Sequence, residues 1–186
     1  MTLFEYLAIA FSLVLSFSGM RLISGLSFVV QKRNRYWVHS AFVCFQLSST
    51  LAVFWNFWAL RAVEWTFPSF VIALMSPAII YYNACVLVPE DASNVASWRD
   101  YCFSVRKRCF IGLTAWMVIV AVISLVVVAV PPLHPMRAFH VLMLAASVSG
   151  LLSENPRVHE ALSIFYLSIL AFAMTVFAFR PGTIPT

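Results

Sequence analysis

Val118-Ile-Val-Ala-Val-Ile-Ser-Leu-Val-Val-Val-Ala-Val130 decides the fold of this chain, because Ser124 is its only polar side chain. The strands of a membrane barrel alternate polar and apolar residues over short segments, and this stretch does not alternate. A run that is apolar on every face suits a helix surrounded by lipid or by protein. Extended back to Cys109, it supplies the roughly 20 residues a helix needs to cross a hydrocarbon core. Five further apolar segments fill the chain, so the sequence predicts spans over residues 3–30, 36–60, 67–88, 109–130, 136–152 and 158–179. Composition agrees, with 62% hydrophobic and 10% charged residues in a length of 186. The expected architecture is all-α: a polytopic transmembrane bundle of six helices in one integral-membrane domain.

The residues between the spans act as stop and start signals. Pro68 falls in the first turn of the third span, where a missing N–H leaves nothing unsatisfied, and Asn155-Pro156 reads as an N-cap and first-turn proline opening the sixth. Pro89, the cluster Pro131, Pro132 and Pro135, and Pro181-Gly182 close the third, fourth and sixth. The longest connection lies between spans three and four. There Val95, Trp98, Cys102 and Val105 share one helical face, with Arg99, Asp100 and Lys107 opposite. That pattern predicts a short interfacial amphipathic helix over residues 92–107, lying on the membrane with its apolar side down.

A formal charge of +5 could suggest nucleic acid, but the placement of the charges points to topology. Setting Arg21 aside, eight basic residues (Lys32, Arg33, Arg35, Arg99, Arg106, Lys107, Arg108, Arg157) fall on one side of the predicted membrane. Three (Arg61, Arg137, Arg180) fall on the other. Short loops rich in Lys and Arg stay in the cytoplasm, so both termini are expected outside, in the periplasm. The four cysteines lie toward the cytoplasmic side, where disulfides are disfavoured. The N-terminus has no basic region and no small-residue cleavage site after its apolar run, so the first helix is expected to be retained.

Few residues offer chemistry. Arg21 sits within the first span, and two readings stay open: a mid-membrane cation facing a watery cavity, or a flanking residue that snorkels to the headgroups. His39, Gln46, Ser49, Thr50 and Asn56 fall on one arc of the second span, which suits interhelical hydrogen bonding or the wall of a polar path. Pro77 in the third span frees a backbone carbonyl and should kink that helix. Ser12/Ser16/Gly19 and Ala145/Ala146/Ser149/Gly150 have the small-residue spacing that lets membrane helices approach closely. The acidic residues all lie at span ends or in loops. His39 with His159 is the one histidine pair at matched depth on the inner side. No catalytic, cofactor or metal set emerges, and no cofactor is expected.

The stretches Arg21-Leu-Ile-Ser-Gly-Leu26, Arg35-Tyr-Trp-Val-His39, Trp65-Thr-Phe-Pro68 and Trp98-Arg-Asp-Tyr101 resemble those of small multi-pass bacterial inner-membrane proteins. The resemblance implies an inner-membrane location and no particular chemistry. The leading expectation is a non-catalytic structural or accessory membrane component, with the lipid bilayer and a second membrane-protein chain, its own copy included, as partners and no nucleic acid. The alternative is a small transporter or channel for a polar or anionic solute, with Arg21, His39, Gln46, Asn56 and Pro77 along its path.

The eight-to-three charge split predicts the outcome of reporter fusions. Alkaline phosphatase at the C-terminus should be active and green fluorescent protein there should stay dark; the reverse pattern would invert the topology.

Overall fold

The computed structural model describes residues 3–31, 34–134 and 136–177, with no strand among them. Six α-helices run α1 (Leu3–Val29), α2 (Trp37–Asn56), α3 (Phe67–Leu87), α4 (Trp98–Val122), α5 (Met136–Leu152) and α6 (Pro156–Phe177). Four helical stretches among the described residues are long and apolar enough to cross a membrane: Leu3–Val29, Trp37–Ala62, Phe67–Asn94 and Trp98–Val127. The bundle is therefore that of a membrane protein. α5 is a shorter apolar helix of 17 residues, about 25 Å at 1.5 Å per residue.

Each helix buries the stripe its sequence offers. Leu7, Phe11, Leu15, Ser18, Leu22, Gly25 and Val29 recur every three or four residues along α1 and are all buried. α3 starts at a capping box in which Thr66 and Ser69 exchange side-chain and backbone hydrogen bonds, with Pro68 in the first turn. Pro77 is buried inside α3, which continues through it to Leu87. α1 packs on α2 and α3, α4 lies between α3 and α5, and α6 closes against α2. The ends of α1, α3 and α5 share one face of the bundle, since Arg21 of α1 reaches Val88 after α3 and Arg106 of α4 reaches Glu154 after α5.

Two segments differ from the sequence expectation. The connection from α3 holds only a 3-10 turn, Ala92–Asn94, and α4 starts at Trp98 behind an Ser97 N-cap. Residues 98–107 are the first turns of α4 and not a separate interfacial helix. No glycine or proline interrupts the chain between Ser97 and Cys109, so nothing stops the helix from continuing inward. The apolar side was read correctly, but its partner is protein: Trp98 and Val105 are buried in the bundle, while Arg99, Asp100 and Lys107 are exposed. The second difference is at the end of α2, which tightens at Asn56 into a 3-10 helix, Phe57–Ala62. At its far end α4 widens into a π-turn, Ile123–Val127, and stops where Ala129 adopts a φ of 57° and the Val130 N–H bonds Ser124 O at 2.9 Å. The left-handed Ala129 ends the helix, and the Val130 N–H reaches back to Ser124 O, one residue further than the bond of a Schellman stop, in keeping with the widened π-turn.

Three glycines mark close helix contacts. A Cβ on Gly25 would overlap Val88, on Gly112 the amide of Asn83, and on Gly150 the ring of Phe110. Gly19 has nothing within 4 Å. Gly150→Val should therefore destabilise the bundle by roughly 1–3 kcal/mol through overpacking. Gly19→Ala should be neutral or stabilising by about 0.5–1 kcal/mol, the helical cost of glycine. Thermal unfolding in detergent checks both; equal behaviour of the two variants would refute the contact at Gly150.

Candidate functional site

The last carbonyls of a helix have no partner within it, and near a membrane they must find one in the protein or among the headgroups. Three consecutive carbonyls at the end of α3 each find a donor on a different helix. Tyr101 Oη of α4 donates to Val86 O at 2.8 Å, His39 Nε2 of α2 to Leu87 O at 3.0 Å, and Arg21 Nε of α1 to Val88 O at 3.0 Å. A carbonyl only accepts, so His39 carries its proton on Nε2 and leaves Nδ1 bare, and that buried Nδ1 has no partner. The cationic Arg21 also lies at the negative end of the α3 dipole.

An aromatic group covers this junction. The His39 ring stacks on Trp98 at 4.9 Å and 21°, and Tyr101 stands edge-on to both, at 5.8 Å and 5.6 Å. Trp98 Nε1 donates to Phe28 O at the end of α1, 3.1 Å away. Asn34 ties the first loop to the third through its Nδ2–H, 2.8 Å from Val95 O. Gly25 leaves the space into which Val88 packs. Tyr36, in the loop before α2, is half-buried, and burial raises its phenol above the ordinary value of 10.

The same device closes α5 and α4. At the end of α5, the Ser153 carbonyl accepts from Arg106 Nη1 and from His159 Nε2 at 3.0 Å, while Arg106 Nη2 pairs with Glu154 at 2.8 Å. Phe103 and Phe110 flank the His159 ring, each centroid 5.5 Å away. At the opposite face Arg137 of α5 caps α4, donating to Val130 O at 2.6 Å and Ser124 Oγ at 2.9 Å. Arg61 donates to Trp58 O at 3.2 Å and lies over the Trp58 ring. Beside it, Phe4, Glu5 and Trp65 line an open hollow of about 460 Å³.

The residues of the expected polar path are only partly brought together. Arg21 and His39 sit on adjacent carbonyls of α3, and Arg21 is level with the end of that helix. Gln46 is buried deeper in α2, with its Nε2 unpartnered. Asn56 is not on the path: it is exposed, and its Nδ2 bonds Ala52 O on its own helix at 2.8 Å. Pro77 is buried in α3, and its neighbour Ser76 accepts from Trp116 Nε1 at 3.0 Å. Sequence reasoning missed Asn83, fully buried against Gly112 with both amide atoms unpartnered. It also missed Trp98 and Tyr101 as cap donors; their indole and phenol groups in the first turn of α4 were the available signal. His39 and His159 line one small cavity of about 10 Å³, room for a single water at most. The Nε2 of each is used on a carbonyl, and no group of three or more His, Cys, Asp or Glu among the described residues is placed to hold a metal.

The Arg106 contacts differ in value. Arg106 is 7% exposed and Glu154 79%, so the ion pair itself should contribute under about 1 kcal/mol. The Ser153 cap is charge-assisted and screened from water, worth about 1.5–3 kcal/mol. Glu154→Gln should leave unfolding nearly unchanged while Arg106→Leu lowers stability clearly; a large Glu154→Gln effect would reverse this ranking. Comparisons of the chain with protein-family models, with curated proteins and with solved structures find no match, so its own geometry carries the functional reading.

Proposed function

We propose that this protein is a non-catalytic integral-membrane bundle, a structural or accessory component of a bacterial inner membrane. In this reading all six helices cross, the ends of α1, α3 and α5 face the cytoplasm, and both termini lie in the periplasm. The observation that supports it is the use made of the charged side chains. Arg21, the cation best suited to attract a solute, donates to Val88 O, and Arg106 and Arg137 likewise donate to helix-end carbonyls. Groups engaged in closing helix ends hold the bundle in one arrangement; a carrier needs charges free to exchange partners.

The proposed partner is another membrane chain, a second copy included. Of the two small-residue faces, Gly150 of α5 is used inside the bundle against Phe110, whereas Gly19 of α1 stands open. The second reading, a transporter or channel for a polar or anionic solute, is favoured by one observation: Gln46 Nε2 and both amide atoms of Asn83 are buried without partners. Groups of that kind inside a membrane bundle often mark a polar path.

Proteoliposomes separate the two. The purified protein should give no anion or neutral-solute flux above that of empty vesicles, and its absorption spectrum should show no cofactor band. Flux lost in both Gln46→Leu and Asn83→Leu, with folded yield unchanged, would replace the structural reading by the transport one.

A further inference from the structure

At the end of the bundle opposite Val88, the first turn of α1 meets the 3-10 helix that follows α2. Phe4 stacks on Phe57 with ring centroids 5.0 Å apart and stands edge-on to Trp58 at 5.9 Å. Phe57 is itself buried and packs on Phe11 at 4.5 Å, so this aromatic corner is held from behind. Phe4 and Trp58, with Trp65 from the loop before α3, wall the open hollow of about 460 Å³. Small-molecule sites usually enclose about 300–1,000 Å³ between aromatic walls with a few polar groups. The Nε1–H of Trp65 is buried and has no acceptor among the described residues, a cost that an acceptor on a bound molecule relieves.

Two opposite charges, Arg61 and Glu5, border the same hollow. Arg61 lies over the Trp58 ring, 5.3 Å from its centroid, and its Nη1 donates to Trp58 O at 3.2 Å. These contacts orient the guanidinium and leave its Nε and Nη2 without a hydrogen bond among the described residues. That free edge is the fork that holds a carboxylate by two parallel N–H bonds. Glu5 is exposed, and a carboxylate has about four acceptor positions, so it can take an ammonium beside any bond it already makes. A simple anion is attracted by Arg61 and repelled by Glu5, and a simple cation meets the reverse. A zwitterion meets two attractions, and an apolar side chain on it covers the aromatic wall.

We infer that this hollow binds a small zwitterion with an apolar side chain, an aromatic or large aliphatic amino acid. Its carboxylate sits on the Nε–Nη2 edge of Arg61, its ammonium at Glu5, and its side chain against Phe4, Trp58 and Trp65. The inference goes beyond the structural reading and does not rest on it, since a site at one end of the bundle needs no path across the membrane.

Isothermal titration calorimetry of the full chain in detergent tests it, with L-phenylalanine as the probe and the heat of detergent alone subtracted. Binding should saturate at one molecule per chain. 3-Phenylpropionate, which lacks the ammonium, and 2-phenylethylamine, which lacks the carboxylate, should each bind more weakly than L-phenylalanine. Arg61→Gln and Glu5→Gln should each weaken L-phenylalanine about tenfold, the loss expected for one charge-assisted contact. Arg157→Gln removes an exposed cation at the other end of the bundle and should change nothing. Arg61 and Glu5 are both exposed, so the variants keep the fold, which thermal unfolding verifies. The proposal is overturned if L-phenylalanine gives no saturable heat, if either singly charged analogue binds as tightly, or if either variant at the hollow binds like the wild type.

Discussion

The arrangement of this bundle depends on where the final carbonyls of α1, α3, α4 and α5 find hydrogen-bond donors. In water those groups are solvated at little cost. At the edge of a hydrocarbon layer each one left bare is expensive. Here the donors come from neighbouring helices: Trp98 for α1, Tyr101, His39 and Arg21 for α3, Arg137 for α4, Arg106 and His159 for α5. Each bond both satisfies a helix end and fixes how two helices sit along each other. In a bundle whose exterior is as apolar as its surroundings, hydrophobic burial alone does not set that register. Directional polar bonds do.

The fold class was legible because the bilayer imposes a simple rule on composition and length. The stop signals were equally readable: α5 has the expected bounds, and α3 starts at Phe67 as the Thr66–Pro68 pattern requires. The start of α4 was misread because an amphipathic stretch buries its apolar side equally well in lipid or in protein. Val95, Trp98 and Val105 give the same pattern in either case. Only the neighbours of Trp98, supplied by α1 and α2, decide between them.

The candidate site was less legible for a related reason. Arg21 and His39 stood out because polar groups are rare in such spans, but their function depends on Val88 and Leu87, ordinary apolar residues that contribute only their backbone. A sequence does not advertise a carbonyl as an acceptor. Asn56 falls at the edge of the polar arc and in the last turn of α2, where it is exposed and bonds Ala52 O of its own helix, so a projection along the helix axis does not show that it has left the bundle interior. Arg106 lay between the two sides of its helix in projection, and its partner Ser153 is 47 residues away.

The cap of α3 also constrains how the chain is made. A membrane protein inserts from its N-terminus onward, and α1, α2 and α3 are complete before Trp98 and Tyr101 have been synthesised. At that stage Val86 O and Phe28 O lack the donors they have in the finished protein. The three-helix intermediate therefore needs a temporary substitute, from interfacial water, a headgroup or the insertion machinery, until the start of α4 arrives. Docking of the Trp98–Tyr101 turn then supplies both donors from within the chain and removes that need.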